Sequence, residues 1–200
     1  MTPDKTQISA KDMNVLISRQ DQKEYFPLLV YPNKGLRVET KEVTDFGPAF
    51  QAIIDKMTAT MYRAQGVGLA APQVGINAKV FILDCPDEGN NGLQVFVNPE
   101  IITATLFSKA MEGCLSFPGV VEQIDRASSI VGKAQDRFGN PFTFASLAEA
   151  DTDVIKLSEV EVVAVQHEIE HLQGILMIDK VSHLKQRYMK KTVQKVLKSL

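Results

Sequence analysis

The chain has 200 residues, with 22 basic against 24 acidic side chains and 44% hydrophobic residues. Such a length and apolar content suit one domain with a real core, and the near-balance of charge excludes a broad electrostatic footprint for nucleic acid. Two cysteines, Cys85 and Cys114, are too few for a disulfide framework and point to a reducing compartment, and no apolar run approaches the roughly 18–20 residues that span a bilayer.

In chain order, residues 1–25 are polar and weakly patterned and read as an N-terminal extension. They carry Asp4, Asp12, Asp21 and Glu24 beside a single arginine, Arg19, and have no apolar leader core. Neither a signal peptide nor an organellar transit peptide is expected, and the expected location is cytoplasmic. An apolar run at 26–30 ends in the turn signal Tyr31-Pro32-Asn33-Lys34-Gly35. A helix is predicted from near Asp45, because Phe46, Phe50, Ile53, Ile54, Met57 and Met61 recur at spacings of three and four; Gly66 stands where its C-terminal cap belongs. Short strands follow at 80–83, 93–97, 101–107, 129–134 and 142–144, separated by Asp, Asn, Gly and Pro clusters.

A second helix is predicted from Ser158, where Ser158 and Glu161 fit a capping box, through Val160, Val163, Ala164, His167 and His171 to a stop at Gly174. A brief strand is expected at 175–178. A last amphipathic helix follows Ser182, with Leu184, Tyr188, Val193, Val196, Leu197 and Leu200 expected on its buried side. Its basic residues Lys185, Arg187, Lys190, Lys191, Lys195 and Lys198 read as a solvated face, with contact to RNA-rich machinery as the sharper alternative. The expected architecture is α+β: one domain over 26–200, in which mostly antiparallel strands wrap a central helix, flanked by an N-terminal and a C-terminal helix.

The chemistry-bearing segment is Gln166-His167-Glu168-Ile169-Glu170-His171. On a helix, positions four apart share a face about 5–6 Å apart, so His167 and His171 can bind one ion while Glu168 reaches a water on it without ligating. The plainer reading is a surface helix with two histidines among acids. Against it, the chain has only 3 histidines, and two of them occupy this motif. A hydrolytic site needs a third protein ligand and an open position. No glutamate follows Glu170 to supply it, and Met177, at the spacing where metzincin-like proteases place a ligand, offers a thioether poorly suited to zinc. Asp179 could ligate, or could be a turn residue; Cys114 could ligate as a thiolate, or could be a buried structural cysteine, as Cys85 is taken to be.

Three segments together settle the choice by resemblance. Gly66-Val67-Gly68-Leu69-Ala70-Ala71-Pro72-Gln73, Glu112-Gly113-Cys114-Leu115-Ser116 and Gln166-His167-Glu168-Ile169-Glu170-His171-Leu172 resemble the three signature motifs of peptide deformylases, in the family's order. The likeness runs from about Leu28 to the C-terminus and includes Tyr31-Pro32, Asn98-Pro99 and Asp136-Arg137-Phe138-Gly139. It implies hydrolytic removal of the formyl group from N-formylmethionine on nascent polypeptides, with one divalent ion, iron(II) foremost and zinc, nickel or cobalt able to replace it. It implies Cys114, His167 and His171 as ligands, Glu168 as general acid/base, and Gln73 and the Leu115 N–H beside the reacting carbonyl. Val67, Gly68 and Gly113 would line the substrate cleft, and Val160, Val163 and Ala164 would receive the methionine side chain. The basic last helix resembles the form typical of Gram-negative bacteria and organelles, which makes the ribosome a partner to consider.

An ion held there would lower the pKa of a bound water from about 15.7 toward about 7. The other readings are a zinc metalloprotease using His167, His171 and Asp179, and a relative that keeps the fold but little catalysis. Three departures from the family pattern stand out. Glu170 replaces the usual aspartate, the 53 positions from Cys114 to His167 exceed the usual gap (the excess expected between 140 and 158), and the N-terminus is extended.

Overall fold

The computed structural model describes residues 7–8, 24–85, 92–146 and 154–199. The expected N-terminal extension and the middle of the expected 140–158 excess therefore lie largely outside the described residues. Six strands form one sheet in chain order: β3 (Gly68–Ala70), β4 (Val80–Leu83), β5 (Gln94–Gly113), β6 (Val121–Gln135), β7 (Pro141–Ala145) and β8 (Val154–Lys156). Neighbours are antiparallel up to β7, and β7–β8 is parallel. Separately, β1 (Gln7–Ile8) pairs in parallel with β2 (Glu42–Val43).

Helix α1 (Pro48–Arg63) starts with Pro48 in its first turn, where a missing N–H costs nothing, and buries Phe50, Ile53, Ile54, Met57 and Met61 as the period requires. Its end departs from expectation. Gly66 N donates to Met61 O at 3.0 Å and Gln65 N to Tyr62 O at 3.0 Å, so the left-handed residue is Gln65, at φ 55°, and not Gly66. Gly66 is glycine for space: a Cβ there would stand 2.7 Å from Leu115 Cδ1.

The sheet lies between α1 and the central helix α2 (Glu159–Leu172). Along β4, Val80 and Ile82 pack with Ile54, Met57 and Leu69, while Phe81 and Leu83 pack with Phe96, Phe144, Val165 and Ile169 on the other face. A strand buried on both faces reads as a continuous apolar run, which is why β4 was recognisable. The expected strands 93–97 and 101–107 are one strand, β5, with register shifts between Val97 and Glu100 and between Ile101 and Thr103; segment 129–134 is the end of β6. From residue 99 to 111 almost every β5 side chain is exposed or half-exposed, so no apolar alternation marks it.

Helix α2 has the expected capping box, with Glu161 N donating to Ser158 Oγ at 3.1 Å and Ser158 N to Glu161 Oε2 at 2.9 Å. It stops at Gly174, at φ 71°, where Ile175 N reaches Glu170 O at 2.9 Å. The expected strand at 175–178 is instead a 3-10 turn at Met177–Lys180. Leu176, Met177 and Ile178 are buried without a strand partner, and the Asp179 carboxylate closes the turn by accepting from Leu176 N at 2.9 Å while Arg37 grips it from outside. Helix α3 (His183–Lys198) buries Met189 and Val193, against Phe117, Val120 and Ile124. Its expected buried face is one strip off: Leu184 is 77% and Tyr188 63% exposed, and Leu197 is also exposed. The helix meets the loop after β5, the start of β6 and the turn Met177–Lys180, and only Met189 and Val193 are fully buried there; Leu200 lies outside the described residues. Among the described residues no helix is long and apolar enough to cross a membrane.

Burial pushes the Asp179 carboxyl up, but its bonds to Arg37 and to the Leu176 N–H outweigh this and hold it below the ordinary value. A depressed folded-state pKa means that Asp179 contributes its stability above about pH 3.9 and loses it as acid takes the pH below that. The ion pair is 40% exposed on both sides and contributes little by itself; the cap on Leu176 is the larger part. Asp179→Ala should therefore cost about 1 kcal/mol in urea unfolding at pH 7, with the difference narrowing toward pH 3. An undiminished gap at pH 3 would show that the carboxylate charge is not its source.

Candidate metal centre

His167 and His171 stand one turn apart on α2, and Cys114 is the first residue after β5. The turn that follows is closed by Phe117 N donating to Cys114 O at 2.9 Å, which turns the sulfur back toward the helix. One ligand atom from each of Cys114, His167 and His171 can be chosen so that all lie within 4.8 Å of one another, and Cys114 Sγ is 3.2 Å from His171 Nε2. Donors sharing a tetrahedral ion at zinc–sulfur and zinc–nitrogen bond lengths would sit roughly 3.3–3.6 Å apart. The Cys114–His171 separation is close to that spacing and all three atoms converge within 4.8 Å, so an ion would draw them together; one sulfur with two imidazoles suits zinc, iron(II), cobalt or nickel. Burial pushes the His171 ring down, which favours the neutral form that a ligand needs.

Behind the cluster runs a chain of charges. His167 Nδ1 lies 2.9 Å from Glu112 Oε2, which leaves Nε2 of that ring for an ion. Glu112 is in turn gripped by Arg126, through Nε to Oε1 and through Nη2 to Oε2 at 2.9 Å. Arg126 Nη1 donates to Glu170 Oε1 at 2.6 Å, and Lys180 Nζ donates to the same oxygen at 2.5 Å. Glu112 and Arg126 are almost wholly buried. Burial works against the charge on both, but Glu112 is held below its ordinary pKa by Arg126 and His167, and Arg126 above its own by Glu112 and Glu170.

Glu168 faces the cluster from the same helix. It is 4% exposed, and its Oε2 has no hydrogen-bond partner among the described residues, while burial pushes the carboxyl up to about 7. An unpaired buried carboxylate oxygen is costly, and this one has the environment of a group that takes and gives a proton. Gly68 lies against it: a Cβ there would be 2.6 Å from Glu168 Oε1 and 2.8 Å from Leu83 Cδ2. Gln73, buried in the 3-10 turn Ala71–Val74, accepts from Ala70 N through Oε1 at 2.8 Å. That bond orients its NH2 toward Ser116 Oγ at 3.2 Å and Cys114 Sγ at 3.7 Å. Leu115 lays its side chain over Gly66.

Of the other expected residues, Val67 and Gly113 are exposed, Val163 and Ala164 are half-buried, and Val160 is 47% exposed, the outermost of its group. Asp179 is engaged by Arg37 and Leu176 N, away from the cluster. Sequence reasoning assigned no role to Arg126, to Ser116 or to Glu112 itself. Glu112 carried a signal, since it opens the same Glu112-Gly113-Cys114 segment as the candidate thiolate. Arg126 carried none.

The family model for polypeptide deformylase matches residues 25–187. The chain belongs to the polypeptide deformylase family. It is 38% identical over 171 residues to peptide deformylase 1 of Shewanella oneidensis, covering 86% of this chain and 95% of that protein. A peptide deformylase 2 of Vibrio vulnificus is 39% identical over 169 residues, 84% of this chain and 93% of that one. Among solved structures, a deformylase from Legionella pneumophila superposes with a TM-score of 0.76 at 34% identity, covering 87% and 96% of the two chains. One from Ehrlichia chaffeensis, in complex with actinonin, has a TM-score of 0.75 at 28% identity over 88% and 97%. Deformylases are metal-dependent hydrolases that remove the formyl group from nascent peptides.

Gly68→Ala tests how tightly Glu168 is held. Its Cβ would force the carboxylate aside by several tenths of an ångström, so kcat should fall about 10- to 100-fold while metal content stays at the wild-type level. Unchanged kcat would mean that the carboxylate position is not critical.

Proposed function

We infer that the chain hydrolyses the formyl group of N-formylmethionine on nascent polypeptides, using one divalent ion held by Cys114, His167 and His171. Iron(II) is the native ion in this reading, with zinc, nickel or cobalt as substitutes. The observation that carries it is the converging sulfur and two imidazoles beside a buried carboxylate oxygen with no partner among the described residues. The ion, when bound, supplies electrophilic pull on the carbonyl and acidifies water.

Everything else falls to the side chains. Glu168, with a pKa near neutrality, takes the proton from the attacking water and delivers it to the departing amine. The Gln73 amide, already oriented by Ala70, and the Leu115 N–H meet the charge that builds on the carbonyl oxygen; losing one such donor costs about 2.7–4 kcal/mol. Val67, Gly68 and Gly113 line the cleft, the backbones of Gly68 and Gly113 pair with the peptide as an added strand, and the bare Gly68 leaves it room next to Glu168. Val160, Val163 and Ala164 accept the methionine side chain, whose burial contributes roughly 1.5–3 kcal/mol, enough for preference without absolute discrimination.

The working unit in this reading is residues 26–200, acting in the cytoplasm, with α3 offered to the ribosome. One of its six basic side chains, Lys185, is already engaged by Glu122 at 2.5 Å. A protease using Asp179 loses its third ligand, since that carboxylate is committed to Arg37 and the Leu176 N–H.

Formate release from a formyl-Met tripeptide by anaerobic, iron-loaded protein is the test. Glu168→Ala should keep its metal and lose about 10²- to 10⁴-fold in turnover. Cys114→Ser should lose the metal and Asp179→Ala should keep it. The reverse pattern, or no formate from fully loaded protein, would overturn the assignment.

A further inference from the structure

Glu170 reaches two cations with its long arm, and these contacts give it a purpose. Its Oε1 is shared by Arg126 Nη1 at 2.6 Å and Lys180 Nζ at 2.5 Å. Arg126 is 2% exposed and spends its other nitrogens on Glu112, which holds His167 Nδ1 at 2.9 Å. A guanidinium is a planar fork, so the direction in which one nitrogen is pulled fixes the plane in which the others bond. The Glu170 end faces a cleft of about 700 Å³, lined also by Thr40, Asp125, Gln166, Ile169 and Gln173. None of Cys114, His167, Glu168 and His171 lines it. The chain of bonds thus runs from a wet cleft on one face of α2 to the dry ligand on another.

We propose that Glu170 is a positioning residue for the metal centre, acting through Arg126 and Glu112 on the orientation of the His167 ring. The proposal rests on the ligand set given above. Groups that orient a metal-bound histidine typically contribute 10- to 100-fold in metal affinity, and Glu170, two links removed, belongs at the lower end. Lys180 is 35% exposed at its side chain and screened by solvent, so its part is smaller.

The experiment is chelator-driven loss of cobalt(II) from the loaded full-length protein, followed by the visible ligand-field spectrum of the ion. Glu170→Gln should lose cobalt about 10-fold faster than wild type and shift the spectrum. Glu170→Asp, with the charge kept and the arm shortened, should lie between the two, and Lys180→Ala should lie close to wild type. In a Glu112→Gln background the effect of Glu170→Gln should shrink toward zero, because the link it acts through is already cut. Urea unfolding of the metal-free variants separates a general loss of stability from this effect. If Glu170→Gln keeps the wild-type spectrum and release rate, whatever its stability, or acts equally strongly in the Glu112→Gln background, the inference is wrong. A wild-type protein that takes up no cobalt would instead sink the ligand set beneath it.

Discussion

The bond between His167 Nδ1 and Glu112 Oε2 is the constraint on which the rest of the site turns. An imidazole can offer only one nitrogen to an ion, and which one depends on what the other is doing. Glu112 settles that choice, but only because it is itself buried as a charge, which burial alone would forbid. Arg126 makes it possible, and Arg126 needs a second carboxylate to stay fixed. Deep charges of this kind contribute little net stability, since desolvation consumes most of their attraction. Their value lies in geometry.

The hairpin of β5 and β6 supplies both partners. Glu112 pairs across the strands with Glu122, and Arg126 lies opposite Ser108, so the two side chains share one face of the hairpin four positions apart and meet by reaching along it. The same strand delivers Cys114 immediately after its last residue, and α2 supplies the two rings one turn apart. Apolar packing of Phe81, Phe96 and Phe144 against Val165 and Ile169 sets the helix at the depth where the rings reach the sulfur. Both ends of α2 are fixed by local bonds, the Ser158–Glu161 box and the Gly174 turn, so the histidines cannot rotate about the helix axis without breaking a cap.

Much of this was legible in the residues. Helices α1 and α2 declare themselves by apolar spacing and capping chemistry, and the convergence of His167, His171 and Cys114 by two histidines four apart together with the three motifs. What was hidden followed from physics that has no period. The exposed middle of β5 alternates nothing, β3 and β8 are too short to show a pattern, and the turn at Met177–Lys180 is decided by Asp179 reaching back to a backbone N–H. The face of α3 differs from expectation because aliphatic and aromatic side chains at Leu184 and Tyr188 imply burial, whereas the neighbours, the loop after β5, the start of β6 and the Met177–Lys180 turn, cover only the strip of Met189 and Val193. Arg126 was invisible for a different reason: a lone arginine in a strand reads as surface until its two carboxylate partners, 14 residues before it and 44 after it, are brought together by the fold.

The most direct measurement is X-ray absorption at the metal edge of zinc-loaded protein, which counts and identifies the atoms around the ion. One sulfur at about 2.3 Å and two imidazole nitrogens at about 2.0–2.1 Å, with the sulfur shell gone in Cys114→Ser, is the expected result. A wild-type ion surrounded only by nitrogen and oxygen would contradict it.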